Sequence, residues 1–197
     1  MRNLLIVVAL ALPSFAEAVT WNLDPAHTSV QFSVRHLMVS NVRGEFAKVN
    51  GSIEVDEKDL THSKIQAAID AASIDTRVEK RDTHLKSPDF LDVARYPTIS
   101  FVSKKIEQAG AGHFKVTGDL TLHGVTREVS LDVQGPTREI KDPWGNTRAG
   151  AQVTTTINRK DFGLTWNQAL EAGGVAVGDE VSITIDVEAT KQAAAGG

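Results

Sequence analysis

Apolar and polar residues alternate with a period of two through most of the chain that follows residue 18. The clearest run is residues 181–188 (VSITIDVE), and residues 29–36 (SVQFSVRH) show the same pattern. Successive side chains of a strand point to opposite faces of the sheet, so strict alternation predicts strands with one buried face. About eight such segments occur. Short glycine-containing connections at Asn50-Gly51, residues 110–112 and Gly124 predict turns between neighbouring antiparallel strands.

One segment, residues 76–95, is charged and lacks the alternation. It predicts a short helical insertion, with Thr76 as an N-cap that forms a capping box with Glu79. Pro88 after Ser87 predicts the start of a second short helix, because proline suits the first helical position. Residues 164–179 are rich in Ala and Gly, have no clear period, and are interpreted as a mobile loop.

Eight half-buried strands of one domain can form a sandwich or a closed barrel, and a barrel also removes the exposed sheet edges. A barrel of about eight strands is either filled by its own side chains or holds one small ligand. The inward positions mix large side chains such as Phe32 and Phe101 with small ones such as Ala67 and Gly118. This mixture is compatible with a void and with a filled core, so the pattern alone leaves both open.

The first 18 residues have the layout of a secretory signal peptide. Arg2 precedes the nine-residue apolar run 4–12, and Ala16-Glu17-Ala18 supplies a small-x-small cleavage site. Nine apolar residues are too few to span a bilayer, which takes about 20, so no transmembrane anchor is predicted. The sequence thus predicts an exported protein with a signal peptide over residues 1–18, one domain over 19–191, and a disordered tail over 192–197.

Composition excludes several classes of function. The net charge of −4 and the lack of a basic cluster argue against nucleic-acid binding. The chain has no cysteine, so disulfides, thiol catalysis and cysteine-ligated metals are excluded. Its six histidines form no paired metal motif, and no metal, cofactor or catalytic residue is predicted. Asp24, His27 and Ser29 are interpreted as turn and capping groups and not as a triad.

His36 is the one titratable residue in phase with the inward side chains of its strand, Val30, Phe32 and Val34. A histidine on an apolar face is most often a core residue with one hydrogen bond. It can alternatively contact a polar ligand head group, or act as an acid or base in an enzyme. Near the predicted mobile loop, Trp166 and Phe162 are expected to line a cavity mouth or to plug one barrel end.

Several motifs in this order resemble the YceI family of bacterial periplasmic, lipocalin-like polyisoprenoid-binding proteins. The resemblance runs from about Trp21 to Thr190. No single motif is decisive, and the resemblance rests on the order and spacing of several segments. Those segments are Asp24-x-x-His27-Thr28-x-Val30-x-Phe32-x-Val34-x-His36, Gly44-x-Phe46, residues 84–92 (HLKSPDFLD), residues 96–101 (YPTISF), residues 118–126 (GDLTLHGVT) and residues 159–163 (RKDFG). Leu91 departs from the family, where a second aromatic residue is common at this position.

The resemblance implies an all-β fold, an extended eight-stranded antiparallel lipocalin-like barrel, located in the periplasm. It also implies a tunnel for one long isoprenoid or fatty-acyl chain, such as a quinone tail. The role that it implies is binding or carrying without catalysis, and a homodimer is compatible with it. The apolar inward positions, together with His36, are the expected ligand contacts: Phe32, Val34, His36, Phe46, Ile69, Phe101, Leu120, Leu131, Val133, Ile157, Phe162, Trp166, Ile183 and Ile185.

Two other functions stay open at this point. One is an enzyme that acts on a small apolar substrate through His36. The other is a filled barrel that works through its surface as an interaction or stress-response protein.

Overall fold

The computed structural model describes residues 18–171 and 173–193. The predicted signal peptide, apart from Ala18, and most of the predicted tail lie outside these described residues. The elements in chain order are β1 (Val19–Leu23), β2 (Ser29–His36), β3 (Ser40–Phe46), β4 (Val49–Val55), β5 (Lys64–Asp70), β6 (Ile74–Asp75), α1 (Glu79–Lys86), β7 (Thr98–Gly110), β8 (His113–Leu122), β9 (Val125–Gln134), β10 (Ile140–Lys141), β11 (Thr147–Asn158) and β12 (Val177–Lys191). Short 3-10 turns lie at Leu60–His62, Ala71–Ser73 and Arg159–Phe162.

Three long strands are each interrupted once, so β1 continues into β2, β3 into β4 and β5 into β6. Counted in this way, eight antiparallel strands follow one another around the sheet in chain order. β12 pairs on one edge with β11 and on the other with β2 and then β1, which closes the barrel. The predicted eight-stranded antiparallel barrel is therefore confirmed.

The two ends of the barrel differ. One end, called the helix end below, carries α1, the β2–β3 hairpin (residues 37–39) and the loop 163–176. The opposite end carries the β7–β8 hairpin, the β10–β11 hairpin and residue Ala18. β9 and β11 pair only through residues 132–134 of β9, and they separate toward the helix end. Beyond that point the Thr155 hydroxyl donates a hydrogen bond of 2.8 Å to the Ser130 carbonyl.

The helical insertion is shorter than predicted. α1 spans Glu79–Lys86, and residues 87–95 form turns, so the second helix predicted at Pro88 is wrong. Thr76 is not the N-cap, because Arg77 has a positive φ of 63° and the helix starts only after Val78. The Thr76 N–H and hydroxyl instead donate to the Asp82 carboxylate. No helix among residues 18–171 and 173–193 is long and apolar enough to cross a membrane.

The turn predicted at Asn50-Gly51 is also wrong, because both residues lie inside β4. Gly51 pairs with Ala67 of β5, and a Cβ at this position would come within 2.4 Å of the Gln66 carbonyl oxygen. Close approach of two strands explains this glycine. The turns predicted at residues 110–112 and at Gly124 are confirmed as the β7–β8 and β8–β9 connections.

The larger cluster of buried apolar residues lies at the helix end, where α1 and its following turns pack onto the strands. Its members are Ala71, Ile74, Leu91, Ile99, Leu122, Ile157, Phe162 and Leu164. A smaller cluster of Phe101, Ile106 and Val116 lies between β7 and β8 toward the opposite end.

At the opposite end a charged network ties three strands and a turn together. The Arg148 guanidinium of β11 donates to Asp24 in the turn after β1, to Glu188 of β12 and, at 2.7 Å, to Asp142. These bonds hold the pKa of Asp24 well below its usual range and lower the pKa of Asp142 to about 2. A guanidinium presents five donors in a fixed fork, which suits it to join several carboxylates at one point.

We expect this network to make the free energy of unfolding depend on pH. Both aspartates bind protons more readily in the unfolded chain, so their contribution is complete above about pH 5 and is lost as the pH falls toward 2. Replacement of Arg148 by Met should lower the urea midpoint at pH 7 and flatten the decline between pH 5 and pH 2. Urea unfolding followed by far-UV circular dichroism measures both effects.

Lys104→Met is the matched control, because Lys104 pairs with Asp119 and Glu128 in an exposed group. Exposed ion pairs contribute little to stability, so this variant should keep both the midpoint and the pH dependence of the parent. An equal loss in the two variants would contradict a special role for Arg148.

Candidate functional site

An apolar cavity of about 300 Å³, partly open to solvent, lies inside the barrel. This volume is at the lower end of the range of ligand pockets, about 300–1,000 Å³. Most of the expected ligand contacts line it, namely Phe32, Val34, Phe46, Ile69, Phe101, Leu120, Leu131, Val133, Ile157, Ile183 and Ile185. The barrel is therefore not filled by its own side chains.

The cavity is long for its volume. β12 alone lines it from Val177 to Val187, and with the bulge between Val177 and Val181 this stretch is about eight extended steps, or about 26 Å. β2, which is antiparallel to β12, lines it from Val30 to Val34. A volume of about 300 Å³ spread over such a length gives a narrow space that suits a thin, extended group better than a compact one.

Two inward glycines make room for the aromatic rings that shape the cavity. Gly44 lies opposite Phe32, and a Cβ on Gly44 would come within 2.5 Å of the ring atom Cζ. Gly118 lies diagonally across from Phe101, and a Cβ on Gly118 would also come within 2.5 Å of the ring atom Cζ. Each ring thus folds over a glycine and leaves part of the interior empty, which explains how a barrel with several phenylalanines keeps a void.

The helix end of the cavity is covered by side chains from outside the sheet. Leu85 of α1, Phe90 and Leu91 of the following turns, and Leu164 of the loop after β11 all contact it. Sequence reasoning missed these residues, because a short charged helix and its turns carry no period-two signal. Other missed residues, such as Val30, Ile65, Val116 and Val129, are in phase with predicted contacts on their own strands.

Arg159 is the charged residue of the cavity wall and is 4% exposed. Its guanidinium donates to the backbone carbonyls of Gly178, Val177, Leu164 and Trp166, and it lies 3.5 Å from the Asp179 carboxylate. Burial lowers its pKa, and the Asp179 charge opposes that change. Four of its five N–H groups thus donate to backbone carbonyls, whereas Asp179 Oδ1 accepts no hydrogen bond from it. Arg159 fastens the covering loop to β12.

Three expected contacts do not line the cavity. His36 ends β2, where it pairs with Val177 and Ser40, and the register of β12 shifts between Val177 and Val181. His36 is half-buried, but the last residue of β2 on the cavity wall is Val34. Contact of His36 with a ligand, or its action as an acid or base, therefore stays a prediction.

Phe162 and Trp166 belong to the cover and not to the wall. Phe162 is 1% exposed and packs within the buried cluster beneath the covering segments. The Trp166 ring lies 5.0 Å from the His84 ring and 5.1 Å from that of Phe90, between centroids. Of the two expected positions, the plug at one barrel end describes Phe162 and Trp166 better than the lining of the cavity mouth.

The groups in the described ranges that best resemble metal ligands lie far from the cavity cover. Asp24, His27 and Glu188 place one ligand atom each within 4.8 Å of one another. The Arg148 guanidinium already donates to both carboxylates, and the hydrogen bond with Asp24 raises the pKa of His27. Asp24 also accepts from the Ala26 N–H, as expected of a turn residue. This arrangement neutralises the carboxylates without a metal ion.

Comparison with known proteins places these features in a family. The profile of the YceI-like domain matches residues 21–189. A UPF0312 protein of Staphylococcus aureus is 40% identical over 170 residues, which cover 85% of this chain and 95% of that protein. A UPF0312 protein of Vibrio parahaemolyticus is 38% identical over 161 residues, which cover 81% of this chain and 85% of that protein.

Solved structures share the fold. The YceI protein of Campylobacter jejuni is 30% identical, with a TM-score of 0.68 over 81% of this chain and 90% of that chain. BcnA of Burkholderia cenocepacia is 23% identical, with a TM-score of 0.72 over 84% of this chain and 98% of that chain. A polyisoprenoid binding domain of Saccharophagus degradans is 16% identical, with a TM-score of 0.62 over 87% and 98%. The match of the domain profile and the identity to these relatives together show that the chain belongs to the YceI-like family.

Proposed function

We propose that the protein binds one long apolar chain, of the polyisoprenoid, prenyl-quinone or fatty-acyl type, inside the barrel and carries it through the periplasm. The observation that carries this proposal is the apolar cavity inside the barrel, which β12 lines from Val177 to Val187. The export of the carrier rests on the signal peptide predicted for residues 1–18. The proposal assigns no catalytic step, since His36 lies outside the cavity wall.

The chemistry of the wall favours a ligand without polar groups along its length. Apart from Arg159, the polar residues of the wall are Thr28, Gln31, Ser100 and Thr155. Thr28 and Thr155 are committed to backbone partners, since their hydroxyls donate to the carbonyls of Glu188 and Ser130. A hydrocarbon chain takes no partner away from these two hydroxyls, whereas a polar ligand would find few donors to meet it.

The free energy available from such binding is large. Each CH₂ group removed from water contributes about 0.8 kcal/mol. An apolar cavity of only about 150 Å³ stays dry and binds small apolar molecules, and the cavity here is about 300 Å³. Affinity therefore grows with the number of carbons that fit, and the length of the cavity sets the preferred chain length.

One structural neighbour supports the choice of ligand class. The domain of Saccharophagus degradans that shares this fold is a polyisoprenoid binding domain. At 16% identity the likeness extends to the fold and not to individual contacts. Its weight in the proposal is therefore smaller than that of the cavity.

Native mass spectrometry of the protein, purified without detergent from the periplasmic fraction, tests the proposal. We expect an adduct whose mass, after organic extraction, is that of a prenyl or fatty-acyl compound. A delipidated sample should take up a prenyl quinone at one molecule per chain and gain thermal stability, about 2.7 kcal/mol when the free ligand is a hundred times its Kd. A protein that carries no lipid and takes up no quinone would contradict the proposal.

Ala67→Phe should narrow the cavity and weaken binding. Ala67 lines the wall beside Phe101, where a larger ring occupies space meant for the ligand. Loss of room for about three CH₂ groups would cost about 2.4 kcal/mol and weaken binding about fifty-fold. Titration of quinone by the quenching of tryptophan fluorescence measures the change in Kd.

Ala68→Phe provides the matched control on the same strand. Ala68 is the next residue of β5, does not line the cavity, and pairs with Asn50 and Ser100. This variant should bind quinone as the parent does. If both substitutions weaken binding equally, the ligand does not lie in the barrel.

A further inference from the structure

The tip of the β2–β3 hairpin exposes three consecutive apolar side chains. Leu37 is 40% exposed, Met38 is 50% exposed and Val39 is 75% exposed. Single exposed apolar residues are common on protein surfaces, but a contiguous group at the end of a projecting hairpin marks a contact site.

The backbone of this tip makes the choice of residues unusual. The Val39 N–H donates to the His36 carbonyl at 3.1 Å, and the two residues between them, Leu37 and Met38, have φ values of 50° and 62°. Positive φ at both central positions is the pattern of a type I′ turn, which favours Asn-Gly. Bulky apolar residues are disfavoured in that conformation, so local folding does not explain why Leu and Met occupy it.

The tip is part of the surface that covers the cavity. The Leu37 N–H donates to the Ala176 carbonyl at 2.8 Å, and Val177, the next residue, lines the cavity. The Met38 side chain lies against Gly174 of the same loop, with Cγ 3.0 Å from the position of a Cβ there. Hairpin tip and covering loop are therefore in direct contact.

The charges of the hairpin itself are positive, whereas the covering loop adds the exposed Glu171. From Val30 to Gly44 the charged residues are Arg35 and Arg43, and both are exposed. Arg35 pairs with Asn41, and Arg43 with Ser33, so both project from the outer face of the hairpin. The Arg35 guanidinium also donates to the Met38 carbonyl at 2.7 Å and steadies the tip. Apolar residues flanked by arginines fit the surface of a bilayer with anionic lipids.

We propose that residues 37–39 insert into the surface of an anionic lipid bilayer and set the covered end of the barrel against the membrane. The apolar chain then moves between bilayer and cavity beneath the loop 163–176. The movement of the chain rests on the proposed function, whereas the docking itself rests on the hairpin alone.

A second exposed apolar site tests the orientation. Ile140 is 61% exposed and Trp144 is 81% exposed, and both lie on the β10–β11 hairpin at the opposite end. Lys141 and Asp142 lie between them; Lys141 is exposed, and the Asp142 carboxylate accepts from Arg148. Trp144→Ser at this end is the matched control for removal of exposed apolar area.

The experiment measures co-sedimentation of the purified protein with phosphatidylcholine vesicles that contain phosphatidylglycerol. We expect binding that weakens in high salt and on vesicles of phosphatidylcholine alone. Leu37→Asn with Met38→Gly should weaken it about tenfold or more without lowering the melting temperature, because Asn-Gly suits the turn. Arg43→Gln should weaken it about fivefold, and Trp144→Ser should leave it unchanged.

A dye provides a direct readout of insertion. The chain has no cysteine, so Val39→Cys accepts a single environment-sensitive dye. Its emission should shift to shorter wavelength on anionic vesicles, while a dye at Trp144→Cys should show no shift.

Three outcomes would overturn the docking proposal. The first is a parent protein that does not bind anionic vesicles, and the second is a loss of binding in Trp144→Ser but not in the hairpin variant. The third is a dimer, seen by light scattering, that depends on residues 37–39 in the absence of vesicle binding. Quinone uptake from dilute ethanol separates the two proposals. Uptake without vesicle binding contradicts the docking proposal and leaves the proposed ligand standing. Vesicle binding without uptake contradicts the proposed ligand and leaves the docking proposal standing.

Discussion

The closure of the sheet by β12 is the constraint on which the rest of the structure depends. β12 pairs with β11 along one edge and with β2 and β1 along the other, so it fixes the register of both neighbours. A slip of one residue would turn every inward side chain of a strand outward. Closure therefore decides which apolar residues surround the interior. Phe32 over Gly44 and Phe101 over Gly118 then leave that interior partly empty.

The two ends of the barrel have different chemistry as a result. Arg148 joins Asp24, Asp142 and Glu188 at the end where the strands β1, β11 and β12 meet. The helix end is covered by loops and by apolar side chains, and Arg159 holds that cover by bonds to backbone carbonyls. A charged network resists the passage of a hydrocarbon chain, whereas a cover of loops can move aside, so the helix end is the route that the chemistry favours.

Alternation of apolar and polar residues was sufficient to predict the barrel and the wall positions on its strands, such as Ile183 and Leu131, because period two is the geometry of a strand. It failed where another constraint decided the residue. Gly51 does not form a turn but allows two strands to approach closely. Thr76 does not cap the helix, and its hydroxyl donates to the Asp82 carboxylate. Leu85 and Phe90 come from a segment without a period, and His36 keeps the phase of its strand without lining the cavity. The void itself depends on how rings pack in three dimensions, which no pattern records.

A crystal structure of the protein purified without detergent tests the central claim most directly. Our account predicts continuous elongated density inside the barrel, in contact with Val177 near one end and Val187 near the other, with no polar group along its middle. A barrel interior that holds only ordered water, or one in which Phe32 and Phe101 have collapsed to fill the space, would contradict it.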